Sequence, residues 1–179
     1  MARLPDPLDT LTPEARRVYH KIAARRGAIR GPFAPLMHHP PLAERVADLG
    51  EYLRFTATLP GDVRELAILL TARAAGQPFE WVSHVTVARA EGLPEDAIER
   101  VRARGDLGAL PPRYATAARV VQHVLAHESV PEALQAAAER ELGIAGLVEL
   151  TVLVGYYRLL AGVLFAFDVP LPEGAAPPF

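Results

Sequence analysis

Residues 62–92 read Asp62-Val63-Arg64-Glu65-Leu66-Ala67-Ile68-Leu69-Leu70-Thr71-Ala72-Arg73-Ala74-Ala75-Gly76-Gln77-Pro78-Phe79-Glu80-Trp81-Val82-Ser83-His84-Val85-Thr86-Val87-Ala88-Arg89-Ala90-Glu91-Gly92. Gly76 ends one helical run, and Pro78 opens a second at a position where its missing N–H costs nothing. The punctuation predicts helices from Asp62 to Ala75 and from Pro78 to just before Gly92. So short a connection makes the two roughly antiparallel. Glu65, near the start of the first, can then meet His84 in the middle of the second. Glu80 lies four residues before His84 and shares its face. Two carboxylates and an imidazole brought together can hold and pass a proton.

The same punctuation extends along the chain. Thr12-Pro13-Glu14 opens a helix that Gly27 stops. Residues 27–41 hold too many breakers for regular structure, although Ile29, Phe33, Leu36 and Met37 give the segment an apolar side. A second helix is expected over 41–58 from Leu42, Val46, Leu49 and Leu53, which recur every three or four positions. Further helices are expected over 94–104, 112–128, 131–142 and 144–167. No strand pattern is present, so the fold class is all-α, a single domain of about eight helices over 1–179. Residues 1–11 and the Pro-rich 168–179 are expected to be extended tails. One weak internal echo sets 64–70 against 148–154, with Glu149 at the place of Glu65.

Bulk properties narrow the function. The 179 residues are 50% hydrophobic, enough for one substantial core. A formal net charge of -2 offers no broad attraction to nucleic acid or anionic lipid, and neither is expected as a partner. The first residues lack the apolar run of a signal peptide, so the cytoplasm is the default expectation. The last helix reaches bilayer length but carries Glu149 and Arg158, which favours a core helix or one buried between subunits over a membrane span. The sequence has no cysteine. Thiol peroxidase and disulfide chemistry need a thiolate, so the chain cannot perform them alone. Lys21 is the sole lysine, in a polar Arg-rich helix, a poor setting for a Schiff base.

The segment from Glu65 to His84 resembles the centre of the carboxymuconolactone decarboxylase / alkyl hydroperoxidase D-like family. Thiol members of that family show Glu, then Cys-x-x-Cys, then His three residues beyond the second cysteine. Glu65 and His84 match; Gln77 and Glu80 stand where the cysteines would be, and Phe79 replaces a tyrosine. The decarboxylase branch carries a Glu four residues before this His, as Glu80 does here. The resemblance extends to Ala90-Glu91-Gly92-Leu93 and to Leu147-Val148-Glu149-Leu150 before Gly155-Tyr156-Tyr157. It implies an all-α fold, assembly as a trimer or hexamer with Gly155 and Gly162 permitting close helix contacts, and a cofactor-free lyase of the decarboxylase type. The substrate implied is a small carboxylated lactone or oxo acid.

On that reading His84, Glu65 and Glu80 are the catalytic candidates, and Arg73 and Arg158 the candidates for holding a substrate carboxylate. Each has a plainer reading. Asp62-Val63-Arg64-Glu65 fits a capping box, with Glu65 reaching back to the Asp62 amide. His84 is equally a satisfied core histidine, and Glu80 an exposed partner of His84 or Arg89. Arg158, among apolar neighbours, calls for a carboxylate: Glu65, Glu80, another subunit or a substrate. His123 and His127 share a helical face, as do Glu80 and His84, but neither pair names its remaining metal ligands; no metal and no cofactor is expected. His38 and His39 precede Pro40-Pro41 and suit a turn or a helix cap. A non-catalytic oligomeric binding protein on the same fold is the alternative function, with a hydroperoxidase relative using another protein's thiol more remote.

Overall fold

The computed structural model describes residues 4–27 and 29–179. Among them the regular structure is entirely helical: α1 (Pro13–Arg26), α2 (Phe33–Leu36), α3 (Pro40–Glu51), α4 (Gly61–Ala75), α5 (Pro78–Ala90), α6 (Glu95–Ala103), α7 (Pro112–Ala126) and α8 (Glu132–Ala166). The helix starts follow the chemistry of the sequence. Thr12 Oγ1 accepts from the Ala15 amide at 3.2 Å, Gln77 Oε1 accepts from the Phe79 amide at 3.0 Å, and His39 Nδ1 accepts from Leu42 at 3.2 Å. His39 therefore caps α3, while His38 Nε2 lies 3.1 Å from the Pro5 carbonyl. Gly76 ends α4 in the left-handed conformation, φ 66°, which glycine adopts without a Cβ penalty.

Three boundaries differ from expectation. The short α2 forms inside the supposedly irregular 27–41 segment, because Phe33, Pro35 and Leu36 are buried together. The predicted helix over 41–58 is α-helical only to Glu51; Tyr52–Thr56 then widen into a π-helical turn, closed by the Ala57 amide donating to Tyr52 O at 2.8 Å. Glu149 fastens this segment to α8. It accepts from Tyr52 Oη at 2.8 Å, Thr58 Oγ1 at 2.9 Å and the Leu59 amide at 2.9 Å. The predicted helices over 131–142 and 144–167, spanned together by α8, are divided where expected, at Gly143, whose φ 71° and ψ 165° only glycine readily adopts. The expected extended segment over 1–11 lies partly outside the described residues; within it, Pro7–Thr10 form a 3-10 turn.

One contiguous core joins these elements. α4 sits at its centre, packed against α5, α6, α7 and α8. Residues Glu65 through Ala72 are all buried, as in a helix surrounded on every side. α8 is long and apolar enough to cross a bilayer, but half of its most apolar window is buried inside the molecule. Residues 168–179 form no helix, and the chain returns to set Phe179 edge-on against buried Trp81, with ring centroids 5.4 Å apart.

Candidate active site

Burying Glu65 completely is costly unless both carboxylate oxygens find partners. Oε2 lies 2.7 Å from His84 Nδ1, and Oε1 lies 3.4 Å from Arg64 Nε. Arg64 in turn donates to Glu91 Oε1 at 2.9 Å. The capping-box reading of Glu65 fails: Pro60 is the N-cap residue of α4, and Asp62 is engaged by the Val63 amide, Tyr114 Oη and Arg113. The tight α4–α5 turn thus directs Glu65 and His84 at one another, and both are almost wholly removed from solvent.

An ionised carboxylate only accepts, so Nδ1 of His84 carries the hydrogen and donates it to Glu65. Nε2 is then left with its lone pair, and Tyr157 Oη lies 3.2 Å from it, placed to donate. The two rings meet edge to face with centroids 5.1 Å apart. Glu80 Oε2 lies 3.8 Å from Nε2, too far for a hydrogen bond but close enough to act as a second counter-charge once the imidazole is protonated. Burial, with Glu80 and Glu65 adding to it against an opposing pull from Arg54, pushes the Tyr157 phenol well above the ordinary tyrosine range. Tyr157 therefore remains a neutral donor. The result is a buried Glu65–His84–Tyr157 hydrogen-bonded chain with Glu80 beside it.

Tyr157 is the member that sequence reading did not assign. It lies in a run of apolar residues, where an aromatic ring reads as core; its adjacency to Tyr156 after Gly155 was the only signal. Arg54 was likewise unassigned. It stands on the π-helical turn, near enough for its charge to act on the Tyr157 hydroxyl.

Residues 40–123 match the model of the carboxymuconolactone decarboxylase family. The matched stretch contains the Glu65 to His84 segment and no cysteine. Among solved structures the fold recurs in an alkylhydroperoxidase AhpD core, an uncharacterized peroxidase-related protein from Ralstonia eutropha JMP134, at 21% identity and a TM-score of 0.75, covering 96% of this chain and 93% of that one. It recurs in a cysteine-to-alanine variant of the debrominase Bmp8 in complex with 2,3,4-tribromopyrrole, at 12% identity and a TM-score of 0.72, covering 96% and 91%. The apo debrominase matches at 12% identity and a TM-score of 0.68. At these identities the likeness is one of fold. No curated protein matches the sequence significantly.

Where thiol proteins of the resembled family carry their two cysteines, this chain has Gln77 and Glu80. Glu80 faces His84, whereas buried Gln77 caps α5. The two proposed anion anchors lie elsewhere. Arg73, eight residues and so about 12 Å along α4 from Glu65, donates through Nε to Arg102 O at 2.7 Å. Arg158 is exposed and lies 3.0 Å from His127 Nε2; being solvated, it needs no carboxylate. Arg89 pairs with Glu95 at 2.7 Å, not with Glu80. Lys21 is held on the surface by Asp48 at 2.7 Å and Glu44 at 3.1 Å. His127 ends α7 in the left-handed conformation, and no group of three or more potential metal ligands occurs among the described residues.

Proposed function

We propose that this chain is a proton-transferring enzyme of the lyase type, acting on a small carboxylated lactone or oxo acid without a cofactor. The observation that carries the reading is the oriented imidazole: Nδ1 fixed on Glu65 at 2.7 Å and Nε2 turned to Tyr157 at 3.2 Å. Loss of carbon dioxide from such a substrate breaks the bond between the carboxylate carbon and its neighbour. The bonding pair passes into the conjugated carbonyl as an enolate, and the same carbon must then take a proton. His84, protonated at Nε2 from solvent, delivers that proton and returns to the neutral form. Glu65 and Glu80 stabilise the intervening imidazolium, and Tyr157 donates to Nε2 whenever it is bare. The substrate carries its own electron sink, so the sequence of steps is complete without further chemistry.

His84→Gln keeps a hydrogen-bonding side chain between Glu65 and Tyr157 but cannot shuttle a proton. Its turnover should fall by roughly 10²–10⁴-fold with the fold retained, measured as carbon dioxide release across a panel of lactones and oxo acids. A fully active variant would rule out the assignment. If the wild-type protein releases carbon dioxide from none of them, the alternative of a non-catalytic binding protein gains. Peroxide consumption with and without added thiol donors tests the remaining reading.

The reading includes self-assembly. Ile144, Val148, Val152 and Leu159 are exposed along one line of α8, with Gly155 and Gly162 in register and open space over both. Exposed Leu49, Tyr52 and Phe55 belong to the segment that Tyr52 joins to α8 through Glu149, which enlarges the apolar surface. A second copy of the chain is the occupant these residues suit.

A further inference from the structure

A cavity of about 390 Å³ lies between the C-terminal end of α4, the end of α6 with the loop after it, and α7. That is a volume suited to a small molecule. Leu70, Val101, Leu107 and Leu125 provide apolar lining, and Arg73, Arg100 and Arg104 bring positive charge to its wall. Their counter-charges are unequal. Arg100 donates to Asp96 Oδ2 at 2.8 Å and to the Asp106 carbonyl at 3.0 Å. Arg73 and Arg104 form no ion pair with a carboxylate among the described residues; each gives one N–H to a carbonyl at a helix end. Arg73 Nε donates to Arg102 O at 2.7 Å, and Arg104 Nη2 donates to Arg73 O at 3.4 Å. A guanidinium has five N–H donors in a planar fork, so both keep donors for an anion.

Two further observations favour an occupant. Burial, together with the positive charges of Arg104 and Arg102, holds Arg73 below the ordinary guanidinium range; an anion beside it would relieve that strain. Arg104 stands at φ 55°, at a helix end where glycine is the usual residue. Arg104 adopts that backbone conformation and lines the cavity.

We propose that this cavity is a binding site, separate from the His84 site, for a small organic carboxylate with an apolar body. The carboxylate lies on Arg73 and Arg104 and the hydrocarbon on Leu70, Val101, Leu107 and Leu125. With Arg100 already neutralised by Asp96, Arg73 and Arg104 leave two positive charges, enough to hold one carboxylate between them. The site does not depend on the lyase reading, since none of its lining residues belongs to the Glu65–His84–Tyr157 chain.

Isothermal titration of the full chain with octanoate tests it. Saturable one-site binding is expected, and 1-octanol and inorganic phosphate, each lacking one half of the ligand, should give none. Arg104→Gly suits the backbone and removes the charge, so it should weaken octanoate at least about tenfold without lowering the melting temperature. Arg102→Gln, the same charge change on a residue paired with Glu99, should leave binding intact. Ala74→Phe fills the cavity and should abolish binding with every arginine retained. His84→Gln should bind octanoate as the wild type does. Absence of saturable binding, equal weakening by Arg104→Gly and Arg102→Gln, or loss in His84→Gln would each overturn the proposal.

Discussion

At the scale of single residues, the imidazole of His84 was legible and its setting only partly so. The spacing of Glu65, Glu80 and His84 reports the faces of two successive helices, and that information is local. Tyr157 arrives from α8, seventy-three positions away, and no local pattern records such a meeting. Arg73 and Arg158, expected to hold a substrate carboxylate, lie apart from His84: distance along α4 separates the first, and the second is exposed despite its apolar sequence neighbours. Tyr157→Phe removes one donor from Nε2 without opening a void, so turnover should drop about tenfold, one hydrogen bond's worth, and less than for His84→Gln. The raised phenol ionisation has a second consequence. An acid whose folded pKa lies above its unfolded value stabilises the fold below the unfolded pKa, near 10, and that stability is lost as pH rises toward the folded one. Tyrosinate absorbance followed against pH should therefore show Tyr157 titrating with alkaline unfolding; Tyr157→Phe should shift that transition to higher pH.

At the scale of elements, helix boundaries were readable wherever Pro, Gly or a capping side chain marked them. The π-helical turn at Tyr52–Thr56 was not, because it is set by a tertiary partner, Glu149. Burial raises the Glu149 carboxyl, but hydrogen bonds from Tyr52, Thr58 and Leu59 outweigh it and leave it below the ordinary glutamate range. A depressed folded pKa contributes stability above the unfolded value, and this is lost as pH falls through the folded one. Glu149→Gln should be less stable at neutral pH by about 1–3 kcal/mol, with a flatter decline below about pH 4.5, checked by urea denaturation across pH. Gly143 offers a cleaner case. No atom lies within 4 Å of where its Cβ would be, so Gly143→Ala tests conformation alone. It should cost about 1–3 kcal/mol and lower the melting temperature by about 2–4 °C for each.

At the scale of the whole molecule, the all-α class and the core were written in apolar periodicity, but which apolar residues of α8 stay exposed was not, since periodicity cannot separate a buried face from an open one. Val148→Glu places a charge on exposed α8 and should shift sedimentation toward a smaller species with helicity unchanged. Wild-type protein that already sediments as a monomer would remove the assembly reading. The burial of α4 from Glu65 to Ala72 carries one more consequence. An amide enclosed by four neighbouring helices exchanges its hydrogen with deuterated water only when the whole chain opens. The slowest-exchanging amides should therefore cluster around Glu65, and their rate reports global unfolding directly. The Glu65 end of the Glu65–His84 contact then cannot be released by local fraying, so its loss on heating and the loss of the fold should follow one curve.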